Sequence, residues 1–224
     1  MTTDKPALIL FDLDGTLVDS VPDLGYCVDG MMLELGRPAW GEARVREWVG
    51  NGVERLVKRA LIGQLDGEPE EDEYRRALPL FMSLYAEHNG KRSRLYPGVE
   101  SGLRQLQEAG YTLACVTNKA EQFTLPLLKA LGIHDYFGLI TSGDSLSRKK
   151  PDPLPLTHTA QHFGVAPEAC LMVGDSSNDV KAARAAGFGI VCVPYGYNHG
   201  VDIHESSPDA VIPSLDQLPA MLPS

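Results

Sequence analysis

One interruption constrains the fold of this 224-residue chain more than any other feature. Ala7-Leu8-Ile9-Leu10-Phe11 is a short, continuous apolar run of the kind found in a strand buried on both faces. No comparable run follows until Tyr111, and between the two the apolar spacing is three and four, the period of helices. Val21, Leu24, Val28, Met31, Met32 and Leu35 form one stripe, in which Ser20 and Asp23 resemble a capping box and Gly36 a stop. Val53, Leu56, Val57, Ala60 and Leu61 form another, with Asn51 as a candidate N-cap and Gly63 as a stop. A further helix is predicted from Pro69 to His88, kinked or divided at Pro79, because a proline ring removes a backbone donor.

After Tyr96-Pro97-Gly98 the rhythm changes to helices alternating with short apolar strands. Helices are predicted at 99–109, 120–131, 154–163 and 178–186, and strands at 111–116, 138–141, 170–173, 190–193 and 210–212, with a short C-terminal helix. That alternation predicts an α/β fold, a Rossmann-like doubly wound parallel sheet with helices on both faces. A helical cap domain inserted just after the first strand reconciles the two patterns. The expected division is a core of residues 1–17 plus 95–224 and a cap of residues 18–94, hinged near Leu17–Ser20 and Asn89–Tyr96.

In an open parallel sheet, ligands gather at the carboxyl ends of the strands. Asp12 and Asp14 follow the first strand, Thr117 and Asn118 the next strong one, and Asp175 and Asp179 the strand at 170–173, with Lys150 in the intervening connection. Carboxylates crowded at one edge repel each other and call for a cation. Oxygen donors without His or Cys indicate a hard ion, and Mg²⁺ suits phosphate chemistry best. Lys150 and the ion together could neutralise phosphoryl oxygens, an aspartate can attack phosphorus covalently, and a second carboxyl can move the proton.

Phe11-Asp12-Leu13-Asp14-Gly15-Thr16-Leu17-Val18-Asp19-Ser20 resembles the first motif of the haloacid dehalogenase-like phosphohydrolase superfamily. Thr117-Asn118 resembles the second, Lys150-Pro151-Asp152-Pro153 the third, and Gly174-Asp175-Ser176-Ser177-Asn178-Asp179 the fourth, in the family's order. The resemblance implies Asp12 as nucleophile and Asp14 as general acid and base, with Thr117, Asn118 and Lys150 holding the phosphoryl oxygens. It implies a Mg²⁺ ion held by the Asp12 carboxylate, the Asp14 main-chain carbonyl and Asp175. Asp179 would either support the metal through water or fix Lys150. A narrower resemblance, to bacterial phosphoglycolate phosphatases, rests on Ser20-Val21-Pro22-Asp23-Leu24, Trp48-Val49-Gly50-Asn51-Gly52 and Tyr195-Gly196-Tyr197-Asn198. It implies 2-phosphoglycolate as the substrate, with Asn51 and Gly52 among its contacts, the Gly-rich turn presenting backbone N–H groups to a carboxylate. The same turn reads equally as a helix stop followed by an N-cap.

Competing readings have specific defects. A calcium loop at Asp12 or Asp175 lacks the remaining ligand spacing, and Val180 stands where such a loop needs glycine. His158 and His162 are four apart, yet Thr159 occupies the place of a metalloprotease glutamate. An amino-sugar phosphate phosphatase, a pyrophosphatase, a sugar phosphomutase and a non-catalytic phospholigand sensor remain as alternatives.

The formal net charge of −10 disfavours nucleic acid and anionic membranes as partners, and the partner the resemblance implies is a small anionic phosphate ester. No apolar run approaches the about 20 residues that span a bilayer, and the N-terminus lacks a signal-peptide pattern. The four cysteines form no Cys-x-x-Cys pair, and three of them sit in strand-like runs. A reducing, cytoplasmic location is expected; the sequence sets no oligomeric state.

Overall fold

The computed structural model describes residues 5–223. In chain order its elements are β1 (Leu8–Phe11), β2 (Val18–Asp19), α1 (Val21–Glu34), α2 (Glu42–Arg46), α3 (Val53–Ile62), α4 (Glu71–His88) and β3 (Arg94–Leu95). There follow α5 (Val99–Glu108), β4 (Thr112–Val116), α6 (Glu121–Ala130), β5 (Leu139–Thr141), α7 (Leu154–Phe163), β6 (Cys170–Gly174), α8 (Ser177–Ala186), β7 (Gly189–Cys192), β8 (Ala210–Val211) and α9 (Leu218–Met221).

Six strands form one sheet in the order β5-β4-β1-β6-β7-β8, every pair parallel. Alternate residues of the strands enter two separate cores, as the two-residue strand period requires. Ile9, Phe11, Leu113, Cys115, Leu171 and Val173 pack on one face. Leu8, Leu10, Ala114, Val116, Cys170 and Met172 pack on the other. This is the expected α/β layering, with β1 central and both faces covered. All four cysteines are buried and unbridged. Among the described residues, no helix is long and apolar enough to cross a membrane.

The helices α1 to α4 pack around a second apolar cluster, with Val28, Met31, Trp48, Val57, Phe81 and Tyr85, which Phe123 and Tyr197 join from the sheet side. The chain leaves the sheet and returns to it through a two-stranded antiparallel ribbon in which Val18 pairs with Leu95 and Asp19 with Arg94.

Three local expectations change. Pro79 neither divides nor ends α4, which runs unbroken from Glu71 to His88. Pro79 and Arg75 are both exposed, so water can satisfy the Arg75 carbonyl that the proline leaves without its helical donor. Ser20 and Asp23 form no capping box, and Ser20 makes no side-chain cap bond. The fully buried Asp23 carboxylate instead accepts from the backbone N–H groups of Gly90, Arg92 and Ser93 and from Ser93 Oγ, tying α1 to the loop after α4. Gly52, and not Asn51, is the N-cap of α3. The short helix α2 is an addition, too brief and too charged to carry a readable apolar stripe.

Candidate active site

The registers of β1 explain why distant residues meet. Phe11 is level with Cys115 on β4 and with Val173 on β6, so all three chains leave the sheet at one edge. Asp12 N donates to Val173 O (3.0 Å), which holds the start of the first loop against the β6 end. Gly15 then turns back at φ +93°, where a Cβ would collide with the Asp175 carboxylate. Only glycine permits that approach. Thr16 Oγ1 in turn donates to Asp175 Oδ1 at 2.6 Å.

The expected cluster assembles. Lys150, only 1% exposed, places Nζ 2.9 Å from Asp12 Oδ1 and 2.8 Å from Asp179 Oδ1. Leu13 N also donates to Asp12 Oδ1 (2.7 Å), so two donors fix one oxygen of that carboxylate. Asp179 Oδ2 accepts from Ser176 Oγ (2.7 Å), Ser176 N (3.1 Å) and Asp175 N (3.3 Å). Asp179 Oδ1 thus holds Lys150, and Oδ2 holds the loop that carries Asp175. Tyr197 N donates to Asp175 Oδ2 at 2.6 Å.

Burial dominates the electrostatics of this cluster. It pushes the Asp12 carboxyl up to about 7, against the pull of the Lys150 ammonium. It pushes Asp175 well above the carboxylate range, assisted by the charges of Asp179 and Asp12. Burial opposes the Lys150 charge, and the facing Asp12 and Asp179 carboxylates outweigh it and hold the ammonium above the ordinary lysine range. Ligand oxygens of Asp12, Asp175 and Asp179 lie within 4.8 Å of one another. Three carboxylates against one ammonium leave an excess of negative charge in a low-dielectric setting, so the donor set fits a hard divalent cation.

A cavity of about 30 Å³ opens beside this cluster, with room for about two waters. Asp12, Asp14, Thr117 and Asn118 line it from the sheet edge, and Leu24, Val49, Gly50, Gly52, Val53 and Leu56 from the helical segment. Gly52 therefore lies at the site. Asn51 stands between two lining glycines but does not line the cavity itself, and its Oδ1 is buried without a partner. Asn118 lines the cavity while its side-chain amide is engaged with backbone carbonyls. Its Nδ2 donates to Gly50 O (3.0 Å) and to Lys150 O (2.9 Å), so the side-chain amide braces the turn against the sheet edge.

Two residues at this edge received no role from the sequence. Lys119 is buried, lines the cavity and pairs with Asp14 at 3.2 Å. A lone cation directly after a strand-end Thr-Asn pair was the available signal. Tyr197 sends its hydroxyl to the start of α1, accepting from Ser20 N (2.9 Å) and Val21 N (3.2 Å) and bonding the Asp19 carboxylate. Nothing in the local sequence pattern marks that contact.

Residues 9–193 match the family described as haloacid dehalogenase-like hydrolase. The chain is 62% identical over 218 residues to a phosphoglycolate phosphatase of Nitrosococcus oceani, covering 97% of each chain. It is 51% identical to a phosphoglycolate phosphatase of Nitrosospira multiformis, covering 92% of this chain and 91% of that one. Among solved structures, a predicted phosphoglycolate phosphatase from Haemophilus somnus 129pt superposes with a TM-score of 0.92 at 38% identity, over 98% of this chain and 99% of the other. The protein belongs to the haloacid dehalogenase-like hydrolases. The parallel sheet, its loop cluster and this kinship agree.

Proposed function

We propose that this hydrolase is a Mg²⁺-dependent phosphatase that converts 2-phosphoglycolate to glycolate and phosphate through a phospho-aspartate at Asp12. The enzyme is a phosphoric monoester hydrolase, and the kinship to phosphoglycolate phosphatases supports the particular ester. One observation carries the mechanism: Lys150 and Leu13 N converge on a single oxygen of Asp12 in the wall of a small cavity.

That arrangement engages one oxygen of the carboxylate and leaves the other, Oδ2, to attack phosphorus. The P–O bond to the ester oxygen breaks as the bond to Asp12 forms, and Asp14, which lines the same cavity, gives a proton to the departing alkoxide. Asp14 then takes a proton from the water that releases phosphate. Thr117 Oγ1 and the Lys150 ammonium flank the phosphoryl oxygens. The Asp12 carboxylate, the Asp14 main-chain carbonyl and Asp175 would hold Mg²⁺, and Asp179 would act by fixing Lys150. When bound, the ion supplies positive charge to the phosphoryl oxygens.

Residues 18–94 would act as a cap that opens for the substrate, because Leu24, Val53 and Leu56 form the wall facing Asp12 and Asp14. The cap contributes hydrocarbon and glycine backbone, surroundings that suit a two-carbon acid better than a hydroxyl-rich sugar phosphate. A panel of phosphate esters ranked by kcat/KM with Mg²⁺ tests the assignment. 2-Phosphoglycolate should stand well above hexose and amino-sugar phosphates and pyrophosphate, with phosphate as product, and chelation should stop turnover reversibly. A flat ranking overturns the substrate, and isomerised sugar without free phosphate overturns the reaction.

A further inference from the structure

The three lysines near the cavity differ in what they face. Lys150 is committed to Asp12 and Asp179. Lys149 is exposed, its Nζ lying over the outer side of Gly52. Lys119 alone is both buried and part of the cavity wall. Its backbone is pinned: its carbonyl accepts from Gly143 N (2.8 Å) and Thr124 Oγ1 (3.1 Å), and its N–H donates to Thr117 Oγ1 (3.2 Å). Its ammonium, 2% exposed, lies 3.2 and 3.3 Å from the two oxygens of Asp14. The hydroxyl of Tyr85 on α4 contacts the same nitrogen, which sits 4.8 Å from the centre of the Tyr85 ring.

We propose that Lys119 is the specificity-determining residue of this enzyme, receiving a carboxylate carried on the carbon next to the phosphate ester oxygen. The inference rests on the phosphatase reading above, and it names the substrate class as α-phosphooxy carboxylates. A buried ammonium requires an anion, and in the free protein Asp14 is the carboxylate that faces it. A substrate carboxylate entering the cavity brings a second anion to the same nitrogen.

The spacing fits. Asp14 is the group that must reach the ester oxygen, and Lys119 Nζ stands 3.2 Å from it. In an α-phosphooxy carboxylate the ester oxygen and the carboxylate oxygens are separated by two carbons, about 3 Å. The other walls strengthen the selection. The side chains of Leu24, Val53 and Leu56 offer no hydrogen bond to a hydroxyl, while α3 begins at Val53 with backbone N–H groups that lack intrahelical acceptors and favour an anion. An anion is therefore matched at this end of the cavity and a polyol is not.

The test compares 2-phosphoglycolate with its neutral carboxamide analogue in wild type and in Lys119→Met. Wild type should prefer the carboxylate by about 100-fold in kcat/KM, the discrimination expected of a buried charge pair. Lys119→Met should cut that preference below about tenfold, chiefly through KM for the carboxylate ester, and Lys119→Arg should restore part of it. If Lys119→Met is poorly folded, Lys119→Gln, which can still hydrogen-bond Asp14 and Tyr85, carries the same comparison. A preference that persists in the neutral variant, with both esters slowed alike, overturns the inference and makes Lys119 a support for Asp14. A wild type indifferent to the two esters instead overturns the substrate reading itself, before any variant is measured.

Discussion

Along the strand-end side of the cavity, Asp12, Asp14, Thr117 and Lys119 present charge and hydroxyl. Opposite them Leu24, Val49, Val53 and Leu56 present hydrocarbon, with Gly50 and Gly52 between. The first set hangs from a rigid parallel sheet whose registers fix where each loop begins. The second set rides on helices whose apolar cluster also takes in Phe123 and Tyr197 from the sheet side, so that packing, a short ribbon and a few polar struts join them to the sheet. The contrast teaches that reactivity and selection are built in different materials. Charged groups need a scaffold that holds them within tenths of an ångström, whereas shape selection needs only a wall that closes.

The comparison breaks most sharply at Asp12. Asp12→Asn should lower turnover on the order of 10⁴-fold, since the amide cannot form the phospho-enzyme. It should leave the melting temperature unchanged or higher, because the residue removed is a carboxylate that burial has already pushed up to about 7. Wild-type kcat in this variant would end the covalent mechanism. Lys150→Met comes next and should cost both activity and stability. It leaves Asp12 and Asp179 facing each other without their shared cation, a loss of about 3 kcal/mol by denaturant titration. An unchanged unfolding midpoint would show that the two carboxylates do not depend on Lys150.

How far the sequence revealed this division depends on the range of the interaction. Asp12, Asp14, Thr117 and Asp175 were legible because each lies within a few residues of the end of an apolar strand run, and strand ends of a parallel sheet converge by topology alone. The partnership of Lys119 with Tyr85 was not. Periodicity places Tyr85 on an apolar helix face but does not say which sheet edge that face covers. Asp23 misled for a related reason. The Ser20/Asp23 spacing is that of a local cap, yet a buried carboxylate takes the best donors it can reach, and those came from Gly90 to Ser93. Asn118 was placed correctly, but its amide is spent on two carbonyls that only the folded chain brings together.

On the wall side, Gly52→Ala is the sharper probe. Gly52 sits at φ +88°, and an added Cβ would come 3.1 Å from Lys149 Nζ and 3.4 Å from Asn118 O. The exposed Lys149 side chain can give way, but the positive φ strains any side chain, so kcat/KM should fall by about tenfold, with a stability loss of about 1 kcal/mol. Unaltered kinetics would separate the turn from substrate selection. The charged side should also report on pH. The folded protein retains a proton on Asp12 that the unfolded chain releases, because the group moves from 3.8 to about 7 on folding. Its contribution to stability is fully present below pH 3.8 and is lost as the pH rises to about 7; Asp175, also raised, acts in the same direction. Metal-free protein should therefore melt lower at pH 8 than at pH 5.5, and Mg²⁺ should narrow the gap. Equal melting temperatures in EDTA would remove the picture of carboxylates awaiting a cation.

The smallest effect is expected where the two sides are stitched together. Tyr197 bonds both, its backbone N–H to Asp175 and its hydroxyl to Ser20 N, Val21 N and Asp19 at the start of α1. Tyr197→Phe keeps the backbone bond and the ring packing while removing the acceptor for two N–H groups at a helix start. The cost should be about 1–2 kcal/mol in unfolding free energy, with kcat within about threefold of wild type. The link would then serve to join the wall to the sheet without touching the reaction. A large fall in kcat at unchanged melting temperature would mean the reverse: the hydroxyl at the ribbon would set how the wall closes over the charged edge, and the two materials would be coupled during turnover.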